Sequence, residues 1–313
     1  MLPTMSPAVT RRRLLLGAGG FSLLAACAAP VEEEPEEVIN GIPASQIVEG
    51  YGPLPDERYP LGPVPPEYLV GVNRRAHGRY LGDAPAGAIE IDTHAKLLYW
   101  IESEGTAWRY SIAVGRQGRG MRATTTVQRK VEWPSWTPTA NMIRSEPEIY
   151  RQFAGGVPGG PANPLGARAL YLYQGSRDTM YRIHGTNDWS SIGNSGSAGC
   201  IRLFNHDIIH LFPKVQMGAR VIIRSKADSV RIEGEALANR GIELPAYFAS
   251  RESIEDGTAG QRPPVPEAMM NEDGTYPPEI LAQLAANGMT DLAAETSGTL
   301  APHDPLSAAT LGI

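Results

Sequence analysis

The chain has 313 residues, 42% of them hydrophobic, and a formal net charge of −6 at pH 7. That is long enough for one large domain or two small ones, and the 27 Pro and 34 Gly imply much turn and linker. A general nucleic-acid binder is excluded, because phosphate neutralisation needs clustered Lys and Arg and no long basic run follows the N-terminus.

In chain order, Arg11, Arg12 and Arg13 precede an apolar stretch from Leu14 to Ala26, too short to span a membrane. Leu24-Ala25-Ala26-Cys27 resembles a bacterial lipobox, and Thr10-Arg11-Arg12-Arg13-Leu14 resembles a twin-arginine signal. These features predict a signal peptide over 1–26, Tat-like or Sec export, and lipidation of Cys27. The chain would then lie on the periplasmic side of the cell envelope, anchored to a membrane. A plain secretory signal with an incidental Cys27 is the alternative. The acidic run from Glu32 to Glu37 reads as a solvated tether, and the Pro-rich residues 51–70 as chain extended over a domain surface. Together they make 27–86 an acidic, Pro-rich tether.

From residue 87 the pattern changes. Residues 88–101 alternate, turn and alternate again, which predicts a hairpin, and 107–115 and 125–133 read as further strands. Pro134 and Pro138 break regular structure. Ser145, with Glu148 at the capping-box position, predicts a short helix over 145–153, followed by a long loop over 155–166. Residues 169–173, 180–185 and 219–225 read as strands. Asn205 is expected to cap a helix running to about Val215, with Gly218 beyond its end. Short, frequent strands point to a mainly β sandwich- or barrel-like domain over 87–226, with one or two short helices and a cysteine in a loop before a helix. The remainder, 227–313, is expected to be a C-terminal extension of low order, apart from helices at 228–245 and 277–288.

Cys27 and Cys200 are the only cysteines. With Cys27 at the anchored N-terminus of an exported chain, Cys200 is the only cysteine expected inside a folded domain. An exported protein that uses cysteine for stability has it in pairs, so a lone one suggests chemistry. A catalytic thiol needs a base and N–H donors for an oxyanion. His184 ends a strand upstream, and Gly199 lets the backbone turn tightly beside Cys200. On residue types alone, an inert buried Cys200 and a surface His184 fit equally well.

The segments His184-Gly185 and Ser197-Ala198-Gly199-Cys200-Ile201-Arg202 are similar to the signature of the L,D-transpeptidase catalytic domain (YkuD) family, bacterial envelope enzymes that remodel peptidoglycan. Residues 112–118, 132–139 and 163–172 also look like family segments, so the resemblance covers about 87–225. It implies a YkuD-like fold with no cofactor. It also implies Cys200 as nucleophile, His184 as general base and acid, and the Gly185 carbonyl orienting His184. Gly199 and Ser197 would support the oxyanion and the loop. Arg202, Asn187 and Trp189 are candidates for substrate binding, Arg202 equally for a structural ion pair. The implied partners are peptidoglycan stem peptides and an amine acceptor on another stem or on a protein. One residue departs from the pattern: Ala198 stands where the family usually has a second histidine. A hydrolase using water as acceptor and a non-catalytic peptidoglycan-binding lipoprotein are the competing readings.

Three other features have simpler readings. His206 and His210 are spaced as in a zinc helix, but Asp207 is short for the usual Glu and the segment reads as an ordinary amphipathic helix, so no metal is expected. The Gly- and Arg-rich 115–120 reads as a turn bordering a cleft rather than a phosphate loop. Trp133 and Trp136 read as core before a glycan-stacking surface.

Overall fold

The computed structural model describes residues 37–115, 121, 124–196 and 200–244. The expected signal peptide, Cys27, residues 116–120, Ser197, Ala198, Gly199 and everything from 245 onward lie outside the described residues.

In chain order the strands are β1 (Val38–Ile39), β2 (Ile42–Pro43), β3 (Ala76–Arg79), β4 (Ile89–Asp92), β5 (Leu97–Ser103), β6 (Thr106–Ser111) and β7 (Ala113–Val114). They continue with β8 (Thr125–Glu132), β9 (Arg168–Gln174), β10 (Arg177–His184), β11 (Ser195–Gly196), β12 (Ile201–Arg202), β13 (Arg220–Ile223) and β14 (Glu243–Leu244). Helices are few: α1 (Ala140–Ser145), α2 (Pro147–Tyr150), α3 (Asn205–Leu211) and α4 (Lys226–Ala238). The mainly β expectation holds.

Apart from the small β1–β2 pair, the strands form one sheet in the order β14-β11-β7-β12-β10-β9-β8-β13-β4-β5-β6-β3. The predicted hairpin is β4–β5. Its turn forms because Asp92 Oδ1 accepts from the backbone N–H of both His94 and Ala95, at 2.9 Å each. The sheet coils on itself. Tyr110 of β6 and Ile201 of β12 have six strands between them in the sheet, yet share one buried cluster with Ile89, Leu98, Leu170 and Ile183. Ile208 and Leu211 of α3 plug the same cluster. This is the barrel-like arrangement the short strands suggested, built from one sheet.

Several expectations are corrected. Residues 37–86 are not simply a tether. Tyr51, Val64, Tyr68 and Leu69 are buried with Phe204 and Ile192, and β3 adds an edge strand to the sheet. The Pro-rich composition hid four large apolar side chains, each stabilising by about 1.5–3 kcal/mol when buried. The domain also runs past 226. Helix α4 starts at Ser225, whose side chain accepts from Asp228 N, and β14 pairs with β11. Arg224 fastens this extension by pairing with Glu90 and Asp92 of β4 and Glu233 of α4.

Ser145 does not begin a helix; it ends α1, which Thr139 caps through Met142 N. Pro147 is the reason. The residue before a proline is pushed out of the helical region, and Glu146 sits at φ −141°, ψ 64° between α1 and α2. Asn205 does not cap α3 either. Phe204 occupies the cap position, and the Asn205 side chain turns elsewhere.

Candidate active site

His184 is the last residue of β10 and Cys200 immediately precedes β12. These two strands run parallel, with Ile183 opposite Ile201 and His184 opposite Arg202. A parallel pair needs a long connection, which residues 185–200 supply. Ile183 and Ile201 point into the core. Side chains alternate along a strand, so Arg182 and His184 on β10 share the opposite face with Cys200 and Arg202. Diagonal neighbours on such a face stand roughly 7–8 Å apart at Cα, within side-chain reach. The sheet register thus puts the predicted nucleophile and base on one face.

His184 is buried at 4% exposure, and its Nδ1 lies 2.5 Å from the Gly185 carbonyl oxygen. A carbonyl can only accept, so Nδ1 carries the proton and Nε2 is left as the basic nitrogen. The expected role of Gly185 fits this contact, and its lack of a side chain explains the residue. A Cβ there would meet Asn205 Oδ1 at 2.1 Å. That oxygen accepts from Ala167 N at 2.9 Å. Sequence reasoning took Asn205 for a cap and missed this role.

Burial holds the His184 pKa down, to about 3; Arg202 and Arg182 add to the effect, and backbone bonds to Gly185 and Leu165 oppose it. Cys200 is a partly exposed free thiol. Burial of its sulfur pushes the pKa above the usual 9, against the lowering influence of the Arg182 backbone N–H and the Arg182 and Arg202 guanidiniums. Both shifts favour a neutral thiol beside a neutral imidazole.

Arg202 extends along the loop. Its Nη1 lies 3.7 Å from Asp188 Oδ2, and its Nη2 donates to the Gly196 carbonyl at 3.3 Å. Asp188 is buried and also accepts from the Ser190 hydroxyl at 2.8 Å. Of the two roles foreseen for Arg202, the contacts are those of a structural ion pair. Asp188 was missed, although a carboxylate among Ser and Thr in a short loop is a visible signal.

Asn187 and Trp189 line a cleft of about 930 Å³, with Pro161, Asn205 and His206 on one side and Pro66 and Tyr68 of the N-terminal segment on the other. His184 and Cys200 are not among its lining residues. Asn187 Nδ2 donates to the Pro161 carbonyl at 3.1 Å, and Trp189 meets Tyr68 edge-on at 5.6 Å. His206 and His210 serve different partners. His206 Nε2 donates to the Gly52 carbonyl at 2.8 Å, and His210 Nδ1 lies 2.9 Å from the Tyr110 hydroxyl. Trp133 is core, packed on Tyr59 at 4.9 Å. Ser197 and Gly199 lie outside the described residues.

Residues 86–223 match the family model of the L,D-transpeptidase catalytic domain, YkuD. The probable L,D-transpeptidase ErfK/SrfK of Escherichia coli is 41% identical over 130 residues, 41% of this chain and 40% of that one. The probable L,D-transpeptidase YbiS of the same organism is 38% identical over 173 residues, 55% of this chain and 54% of that one. The chain thus spans about half the length, or less, of these curated relatives. A crystal structure described as a probable carnitine operon oxidoreductase from Brucella melitensis is 43% identical, over 50% of this chain and 98% of that one, at TM-score 0.35. At that score the likeness carries no argument about fold or activity. By the family model and by both curated relatives, residues 86–223 are similar to the L,D-transpeptidase catalytic domain (YkuD) family.

Proposed function

We propose that this protein is an exported peptidoglycan L,D-transpeptidase that works through a thioester on Cys200. The observation that carries this reading is the His184–Gly185 hydrogen bond, which leaves His184 Nε2 basic on the sheet face that Cys200 shares. The acyl donor is a tetrapeptide stem, attacked at the carbonyl of its third residue. Because the resting pair is neutral, the Cys200 proton passes to Nε2 as sulfur bonds to carbon. The backbone N–H groups of Gly199 and Cys200 are the oxyanion donors in this reading, a role that needs no side chain at Ala198. The C–N bond breaks, and the terminal residue departs with the proton from His184. An amine then attacks the thioester, loses its proton to His184 and displaces the thiol. The acceptor is the side-chain amine of another stem, giving a 3→3 cross-link, or an amine on an envelope protein.

Ser197 supports the nucleophile loop, and Asn187 and Trp189 border the path of the stem peptide. Lipidation of Cys27 holds the enzyme at the periplasmic face of a membrane, close to its polymer. The test is incubation of the full chain, kept in detergent, with purified disaccharide-tetrapeptide, with Cys200→Ala as control. Cys200-dependent dimers lacking one terminal residue are expected. An unchanged substrate with folded protein contradicts the reading.

A further inference from the structure

Cys200 stands at one end of a row of side chains across the active-site face. The register that sets Ile183 against Ile201 puts Arg182 level with Cys200. Arg182 is opposite Tyr171 of β9, and Tyr171 is opposite Arg129 of β8. Both guanidiniums lie over the same ring, Arg182 with its carbon 4.2 Å and Arg129 with its carbon 4.7 Å from the centroid. Tyr171 is thereby buried, at 8% exposure, while Arg129 is exposed.

The two arginines differ in what neutralises them. Asp178 forks onto Arg182, Oδ1 to Nη1 at 2.7 Å and Oδ2 to Nη2 at 2.8 Å. A bulge between Asp178 and Arg182 brings the pair together. Arg129 has no carboxylate within salt-bridge range among the described residues. Its guanidinium lies over the ring, and the residue is exposed. That ring is rooted two strands, roughly 10 Å, from Cys200. A guanidinium pre-oriented by stacking loses little freedom on pairing with a planar anion.

We propose that Arg129, stacked on Tyr171 and backed by Arg182, is a specificity-determining residue that binds a carboxylate of the acyl-donor stem peptide. The proposal rests on the transpeptidase reading, because that reading makes the ligand a stem peptide. Such a peptide offers two carboxylates near the scissile bond. One lies on the side chain of the third residue, and the other is the C-terminus of the leaving residue. Arg182, already neutralised by Asp178, fixes the ring and sets the rim nearest the thiol.

The test measures binding in the absence of turnover. Full-length Cys200→Ala, in detergent, is titrated by calorimetry with a disaccharide-tetrapeptide whose third residue is diaminopimelate, then with the same ligand amidated at the side-chain carboxylate or at the C-terminus. Arg129→Ala in that background is expected to weaken binding of the unmodified ligand about tenfold or more. One of the two amidated ligands should bind equally to both proteins, which identifies the carboxylate that Arg129 holds. Arg129→Lys, which keeps the charge and loses the planar fork, should recover only part of the affinity. Equal losses on Arg129→Ala for all three ligands, no loss, or no binding of any ligand overturns the proposal. Unfolding midpoints confirm that the variants fold. Turnover by the Cys200 enzyme is scored separately, so binding that depends on Arg129 without cross-linking overturns the transpeptidase reading and supports this site.

Discussion

His184 donates its Nδ1 proton to the carbonyl of Gly185, its own neighbour in the chain, at 2.5 Å. A base is usually oriented by a side chain from elsewhere in the fold. Here the orienting group is a backbone oxygen that no substitution can delete. What a substitution can disturb is the peptide carrying that oxygen, and several consequences can be measured.

Gly185→Ala should fail on packing. The new Cβ meets Asn205 Oδ1 at 2.1 Å and Ala167 N at 3.1 Å. Asn205 must move, and the buried Ala167 N–H loses its acceptor. A loss of at least about 2 kcal/mol in unfolding free energy is expected by urea denaturation, with loss of activity. Asn205→Ala should share the activity loss while leaving Gly185 free of any clash. Unchanged activity in Asn205→Ala would show that this contact does not position the base.

Cys200 should behave as a neutral thiol. With its pKa pushed above 9 by burial and that of His184 pushed down to about 3 by burial, no thiolate–imidazolium pair persists at neutral pH. Alkylation by iodoacetamide should rise with pH along a single limb whose midpoint lies above 9, with no plateau of reactivity between pH 5 and 8. Such a plateau would establish a preformed ion pair.

The N-terminal segment should be part of the folded unit. Leu69 is fully buried, in a cluster with Phe204 and Ile192. Leu69→Ala should cost about 2–5 kcal/mol, read by denaturation. A midpoint equal to wild type would return residues 37–86 to the role of a tether.

Acid should destabilise the fold. Burial holds His184 near pKa 3 and His206 and His210 near 4. All three are lowered from 6.5, so between about 4 and 6.5 the unfolded chain takes up the extra protons and stability falls as pH drops. Asp207 acts in the opposite sense, because burial raises its pKa from 3.8 to about 6; in that window the folded state holds its proton. With three groups against one, the melting temperature should fall from pH 6.5 to 4. A rise would mean that Asp207 and other carboxylates dominate.

The sequence singled out His184 and Cys200 because both sit in short motifs, His184-Gly185 and Gly199-Cys200, that resemble a family signature; their residue types alone did not. The strands 89–92 and 97–103 were legible by alternation, and 168–174 by its aromatic and β-branched content. What could not be read depends on distance in space. Tyr51 and Leu69 look like linker residues until Phe204 is seen beneath them. Asn205 has the residue type and position of a helix cap, yet its oxygen serves Ala167, 38 residues earlier. Arg182 lies two residues from His184, so period-two alternation could have placed it on the same face. Its stacking on Tyr171, and the matching position of Arg129, required the register of three strands.

The most direct test of the central claim is the mass of the protein itself. The full chain, in detergent, is mixed with disaccharide-tetrapeptide and quenched in acid, and intact mass and peptide maps are recorded beside Cys200→Ala and His184→Gln. The account predicts a tripeptide-stem adduct on the peptide containing Cys200, absent in Cys200→Ala and strongly reduced in His184→Gln. Cross-linked or hydrolysed product formed equally well by Cys200→Ala, with no adduct on the wild type, would contradict it.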